Sequence, residues 1–221
     1  MPRRPAVFLI PDQVKRMIAI GDVHGCLPAL KELLAKVNPQ DGDVFVFLGD
    51  MINRGPESVA LVDWLLAFRK SHPVVCLRGN HEQMLLDLVD EVSKNFLLNN
   101  GMETLGQYHA TYGCIPPHHQ DFFRSLPLSW EWGDFIFVHA GLRPGISLAE
   151  QETEDLLWIR EEFLESPYDW GKVVVFGHTP LKEPLLAETR IGLDTGAVYG
   201  GRLTGCDVLS RKIWNSPGFP S

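Results

Sequence analysis

The chain has 221 residues, 45% hydrophobic and 22% charged, the make-up of an ordinary soluble globular fold with enough apolar residues for a sizeable core. Its formal net charge of −8, from 20 basic and 28 acidic residues, argues against a general nucleic-acid or anionic-membrane binder. Its four cysteines are far apart, so reduced thiols in a cytoplasmic protein are expected, not a disulfide framework or a thiolate zinc site.

Pro2, Pro5 and Pro11 make residues 1–13 an expected irregular or edge segment. The apolar piece at 6–10 is too short for a signal-peptide core, and no run reaches transmembrane length. Residues 15–20 form the first predicted strand, which ends in Gly21-Asp22-Val23-His24-Gly25. Pro28 then suits the first turn of a helix whose apolar face is Leu30, Leu33, Leu34 and Val37. The continuous apolar run 44–48 reads as a strand buried on both faces, and it ends in Gly49-Asp50. A second helix is expected over 56–69, and a third strand over 73–77, ending in Arg78-Gly79-Asn80-His81-Glu82. This βαβαβ rhythm implies a parallel sheet with right-handed crossovers, whose chemistry gathers at the carboxyl ends of the strands.

Residues 83–129 read as mainly helical, with a break over 113–117; His118 and His119 are expected in a solvated loop. Residues 130–138 have strand composition around a turn at Trp132-Gly133-Asp134 and lead into His139. The acidic stretch 150–165 reads as one helix carrying Leu156, Leu157, Trp158 and then Arg160. A buried strand at 173–176 ends in Gly177-His178-Thr179. Short strands are expected at 190–193, 197–199 and 203–209, with a loose tail at 215–221. No repeat or linker divides the chain, so residues 1–221 are read as one domain, and no feature singles out an oligomeric state.

The strand ends collect Asp22, His24, Asp50, Asn80, His139 and His178: two carboxylates, three imidazoles and an amide. Two divalent ions sharing one carboxylate and a bridging water need about that many ligands. Asp22, His24 and Asp50 would hold one ion, and Asp50, Asn80, His139 and His178 the other. Nitrogen and oxygen donors suit manganese best, with iron or zinc as alternatives. Arg54, Arg78 and Arg160 stand around the same loops, and guanidinium forks match phosphoryl oxygens. Two ions would lower the pKa of the bridging water for direct attack and clamp an in-line displacement. His81, beside Asn80, is placed to protonate the leaving oxygen. Tyr199 is a candidate substrate contact at the mouth.

This order of motifs, GDVHG, GDMINRG, LRGNHE, HAG and GHT, resembles the phosphoprotein phosphatase family of calcineurin-like metallophosphoesterases, from Gly21 to about Leu209. The segment Leu157-Trp158-Ile159-Arg160 and the stretch 191–204 look like its bacterial serine/threonine phosphatase branch, which is related to the diadenosine tetraphosphatases. The resemblance implies an α/β four-layer αββα sandwich with two mixed sheets and a dinuclear site with the ligand sharing given above. It also exposes a departure. The family usually carries Asp at the position of Asn53, where it pairs with the general-acid histidine. An amide oxygen can still accept a hydrogen bond from His81 but supports its charged form less. Hydrolysis of poor leaving groups should suffer most.

The expected activity is hydrolysis of phosphomonoesters, first of all phosphoserine or phosphothreonine in proteins. The alternative is hydrolysis of bis(5'-nucleosyl) tetraphosphates, and a phosphate-sensing module with weak turnover is more remote. The expected partner is a phosphorylated protein or a small phosphoester, with no nucleic acid and no membrane.

Overall fold

The three apolar runs in the first third of the chain become neighbouring parallel strands, β1 (Arg16–Ile20), β2 (Asp43–Phe47) and β3 (Val74–Cys76). Helices α1 (Leu27–Val37) and α2 (Ser58–Phe68) make the crossovers that parallel pairing demands. The computed structural model describes Ile10 and residues 13–219, so the expectation for 1–13 lies almost wholly outside the described residues. Three helices follow: α3 (Asn80–Val89), α4 (Met102–Tyr112) and α5 (Pro117–Ser125), with a wide turn at Leu97–Gly101 before α4. Hairpin β4 (Ser129–Trp132) and β5 (Phe135–Val138) turns at Gly133, as the sequence predicts. Then come α6 (Thr153–Trp158), α7 (Glu161–Leu164), β6 (Val173–Phe176), β7 (Leu185–Leu186), β8 (Arg190–Gly192), β9 (Arg202–Asp207) and β10 (Lys212–Pro217).

The strands make two mixed five-stranded sheets, ordered β10-β9-β1-β2-β3 and β4-β5-β6-β8-β7. Side-chain alternation sorts each strand between two cores. Met17, Ala19, Val44 and Val46 meet Phe137, Val175 and Ile191 between the sheets. Ile18, Ile20, Phe45 and Phe47 point the other way, onto α1, α2 and α3. Ile136, Val138, Val174 and Phe176 pack outward against Leu156, Ile159 and Phe163. Helices therefore cover both outer faces, and the result is the αββα sandwich. Each of the larger of these side chains, once buried, contributes about 1.5–3 kcal/mol.

β1, β2 and β3 are parallel, as the βαβαβ rhythm implies, and lie in a mixed sheet, as the resemblance implies, because β9 returns antiparallel to β1 and carries β10 with it. Four local expectations are corrected. The tail expected to be loose from residue 215 lies in β10 as far as Pro217, and buried Ser216 donates to the Ala29 carbonyl. Residues 197–199 form a 3-10 turn instead of a strand, entered through Gly196 in the left-handed region. The acidic stretch is not one helix: the Leu156 carbonyl, which a continuing helix would give to Arg160, accepts the Ala140 N–H instead. Arg160 thus sits at the junction of α6 and α7. His118 and His119 lie on α5, and His119 is fully buried, so they are not a solvated loop. Among the described residues, no helix is long and apolar enough to cross a membrane.

Candidate metal centre

The carboxyl ends of β1, β2, β3, β5 and β6 open onto one place and deliver Asp22, His24, Asp50, Asn80, His139 and His178, each at most 5% exposed. The backbone there is unusual. His24, Asp50, Asn53, Arg54 and His178 all have positive φ, five of the nine such non-glycine residues described. That conformation is costly for a side-chain-bearing residue, so packing around the site must hold it. Glycine is required beside it at two points. A Cβ on Gly79 would overlap Asp50 Oδ1, and one on Gly177 would overlap Asp22 Oδ1.

The sequence reading places Asp50 between two ions, and its carboxylate faces both halves of the cluster. Oδ2 is 3.5 Å from His24 Nε2, and Oδ1 is 3.5 Å from His139 Nε2. Two trios, His24-Asp50-His81 and Asp50-His139-His178, each bring their ligand atoms within 4.8 Å of one another. Asp22 joins neither trio. Its two oxygens accept the His178 N–H at 3.0 and 3.2 Å, which ties the first of the five strand ends to the last.

Hydrogen bonding fixes the imidazoles for coordination. His24 Nδ1 gives its proton to the Ile52 carbonyl at 2.9 Å, and His139 Nδ1 gives its proton to the Leu48 carbonyl at 2.8 Å. Each neutral ring then turns an Nε2 lone pair inward. Burial keeps them neutral, with His24 lowered to about 3 and His139 to about 4. His139 Nε2 stands 2.9 Å from Asn80 Oδ1, which is itself 3.1 Å from His178 Nδ1. With its other nitrogen committed, His139 has only a lone pair to offer the amide oxygen. Two acceptors aimed at each other at that range leave a place for a cation. Among the described residues the buried Nε2 of His178 makes no hydrogen bond of good geometry. On the other side, Arg54 Nη1 donates to His24 Nε2 at 2.9 Å, so a positive charge already addresses that lone pair.

The carboxylates tell the same story. Burial raises Asp22, Asp194 and Asp50, the last to about 7, and Asp22 is raised further by Asp194 and Asp50 nearby. Such a cluster calls for cations, so the donor set fits metal ions. Two buried carboxylates are not singled out by the sequence. Asp194 lies within the stretch 191–204, and its Oδ1 accepts the Gly196 N–H at 3.0 Å. Glu82 ends the LRGNHE motif. Its buried carboxylate accepts the backbone N–H groups of Asp50, Met51, Ile52 and Gly79 at 2.8–3.2 Å. It therefore sets the turn that carries Asp50.

Asn53 meets His81 through its nitrogen and not through the expected oxygen: Nδ2 lies 2.9 Å from Nδ1, and Oδ1 is buried without a hydrogen-bond partner among the described residues. The Asn99 carbonyl, 3.4 Å from Nδ2, calls for a donor there and explains the orientation. Burial, followed by His24 and Arg54, pushes His81 far below the usual histidine range. Arg54 and Arg160 both act electrostatically on Asp50 and His178. Arg78 instead donates to Gln83 Oε1 at 2.9 Å and to the Arg124 carbonyl at 3.1 Å. Tyr199 is 56% exposed, with the Arg54 guanidinium 5.4 Å above its ring. Trp158, at the end of α6, stands edge-to-face with His178 at 5.9 Å and is 36% exposed.

The chain is similar to known proteins over most of its length. A bis(5'-nucleosyl)-tetraphosphatase PrpE, asymmetrical, of Bacillus cereus (strain AH187) is 30% identical, over 90% of this chain and 92% of its own. A solved structure with a provisional diadenosine tetraphosphatase description is 27% identical, with a TM-score of 0.76 over 96% of this chain and 97% of its own. A protein serine/threonine phosphatase from Saccharomyces cerevisiae superposes with a TM-score of 0.66 at 17% identity, over 96% of this chain and 82% of its own, a likeness of fold alone. The family model for calcineurin-like phosphoesterases matches residues 15–209, from the first residue before β1 to two residues past β9. The chain belongs to the calcineurin-like phosphoesterase family.

Proposed function

We propose that this chain hydrolyses a phosphoanhydride of a dinucleoside polyphosphate, such as diadenosine tetraphosphate, in preference to phosphoserine or phosphothreonine in proteins. The observation that carries the proposal is the Asn53 amide nitrogen 2.9 Å from His81 Nδ1. A donor at Nδ1 leaves His81 neutral with its proton on Nε2, and among the described residues no carboxylate pairs with Nδ1 to support an imidazolium. A neutral imidazole is a poor acid. A serine alkoxide must be protonated to leave, whereas a nucleotide leaving through a phosphate oxygen is a stable anion and needs only a hydrogen bond. The names of the similar bacterial proteins support the same choice.

Asp22, His24 and Asp50 would hold one divalent ion, and Asp50, Asn80, His139 and His178 the other; the donor set suits manganese, with iron or zinc as alternatives. Bound there, two ions supply Lewis-acid charge and an activated water. Arg54 and Arg160 bind phosphoryl oxygens of the polyphosphate. His81 offers its Nε2–H to the leaving oxygen. Arg78 braces the Gly79–Glu82 turn through Gln83 and the Arg124 carbonyl. Tyr199 and Trp158, exposed at the rim, offer faces on which a base can stack.

The test is a comparison of diadenosine tetraphosphate, a phosphoserine peptide and an aryl phosphate with added manganese. The expected kcat/KM for the dinucleotide exceeds that for the peptide by about a hundredfold or more. Preference for the peptide would return the reading to protein phosphatase. No turnover of any of the three would favour a phosphate-sensing module.

A further inference from the structure

A second group of metal-ligating side chains lies on the outer helical layer. Asp63 on α2 and His118 and His119 on α5 bring one ligand atom each within 4.8 Å of the others. We propose that these three residues bind a zinc-class divalent cation, bracing α5 against α2, at a site separate from the dinuclear centre.

The donor set is two imidazoles and a carboxylate, which with one water completes a four-coordinate zinc sphere. His119 Nε2 lies 3.0 Å from Asp63 Oδ1. Tetrahedral ligands at zinc bond lengths sit about 3.3 Å apart, so the pair needs little movement to chelate. The His118 and His119 rings are 4.5 Å apart between centroids and nearly perpendicular, although neighbours on a helix normally diverge. Tyr112 packs edge-on against both rings, at 6.0 and 5.6 Å, and so holds them on the same side.

The surroundings supply the outer partners that metal-bound histidines require. Buried Tyr108 places its hydroxyl 3.1 Å from His119 Nδ1. With the ring proton on Nδ1, the Tyr108 oxygen accepts it and Nε2 is free for the ion. His119 is fully buried, and burial lowers its affinity for a second proton, so the neutral ligand form is favoured. The Tyr112 hydroxyl donates to Asp63 Oδ1 at 2.7 Å and orients that carboxylate. His118 is exposed, which gives an ion a route in from solvent. An ordinary Asp63–His119 hydrogen bond accounts for two of these residues but leaves the orientation of His118 unexplained.

The experiment is a zinc count. Chelator-stripped full-length protein is equilibrated with zinc, and bound metal is measured for the parent, His118→Ala and Asp63→Asn. The parent is expected to hold one equivalent more than either variant. Cobalt substitution should show visible bands in the parent that weaken in both variants. Zinc should also raise the parent melting temperature by several degrees more than that of His118→Ala, while hydrolysis by that variant is unchanged. Because His118 is exposed, its variant should fold, and circular dichroism checks this. Equal stoichiometry in parent and variants, whether two or three, would overturn the site. Loss of hydrolysis on diadenosine tetraphosphate would bear only on the other centre.

Discussion

At the scale of single residues, Asn53 concentrates the functional argument. Replacing it with Asp would put a carboxylate against His81 Nδ1, move the ring proton there and favour the imidazolium. The Asn53→Asp enzyme is expected to gain up to about tenfold in kcat on an alkyl phosphate and little on diadenosine tetraphosphate. Parallel steady-state assays decide it, and equal gains on both substrates would defeat the leaving-group explanation. Trp158→Ala should raise KM for the dinucleotide by about five- to a hundredfold through loss of base stacking, worth about 1–3 kcal/mol, and leave KM for an aryl phosphate nearly unchanged. The proposed ligands Asp22, His24, Asp50, Asn80, His139 and His178 are legible because each follows an apolar strand and sits beside small or turn residues. Asp194 and Glu82 are not, because their importance comes from what they face: Glu82 meets a turn some thirty residues earlier in the chain.

At the scale of elements, the turn after β2 is a loop stiffened from outside. Glu82, in the first turn of α3, accepts four N–H groups from the Asp50 turn and Gly79. A Gln there must present an NH2 to donors that need an acceptor. Glu82→Gln is expected to cost about 1–3 kcal/mol in urea unfolding of stripped protein. It should also weaken metal binding by about 10–100-fold in chelator competition, since Asp50 loses its outer support. Strands and crossover helices were readable from periodicity. The 150–165 stretch was not, since its helical pattern is intact and only the distant Ala140 N–H breaks it. The same holds for β10, where Pro217, Gly218 and Pro220 suggested looseness but pairing with β9 prevails.

At the scale of the whole molecule, buried charge couples the site to stability. In stripped protein, Asp50 and Glu82 each titrate at about 7 in the fold, against 3.8 and 4.5 when unperturbed. The folded state then binds more protons than the unfolded state over that window, and these groups lose stabilising effect as pH rises. The lowered histidines, His24, His81, His139 and His178, oppose them until about one unit above their ordinary value of 6.5, because the unfolded state binds the extra protons there. Above about pH 7.5 the histidines are neutral in both states, and only the raised carboxylates, Asp22 among them, still hold extra protons in the fold. Stripped protein should therefore lose stability above about pH 7.5, whereas protein loaded with manganese should gain it, because ionised ligands hold the metal more tightly. Urea melts at fixed ionic strength check both slopes. β1, which carries Asp22 and His24 at its end, lies between β2 and β9, and Gly21 donates to the Thr204 carbonyl. On the ribosome, then, the opening motif is made first and seated almost last. A nascent chain cannot assemble its cage for cations until the final strands have cleared the exit tunnel, so a product cut short before residue 202 should be made without ever becoming an enzyme.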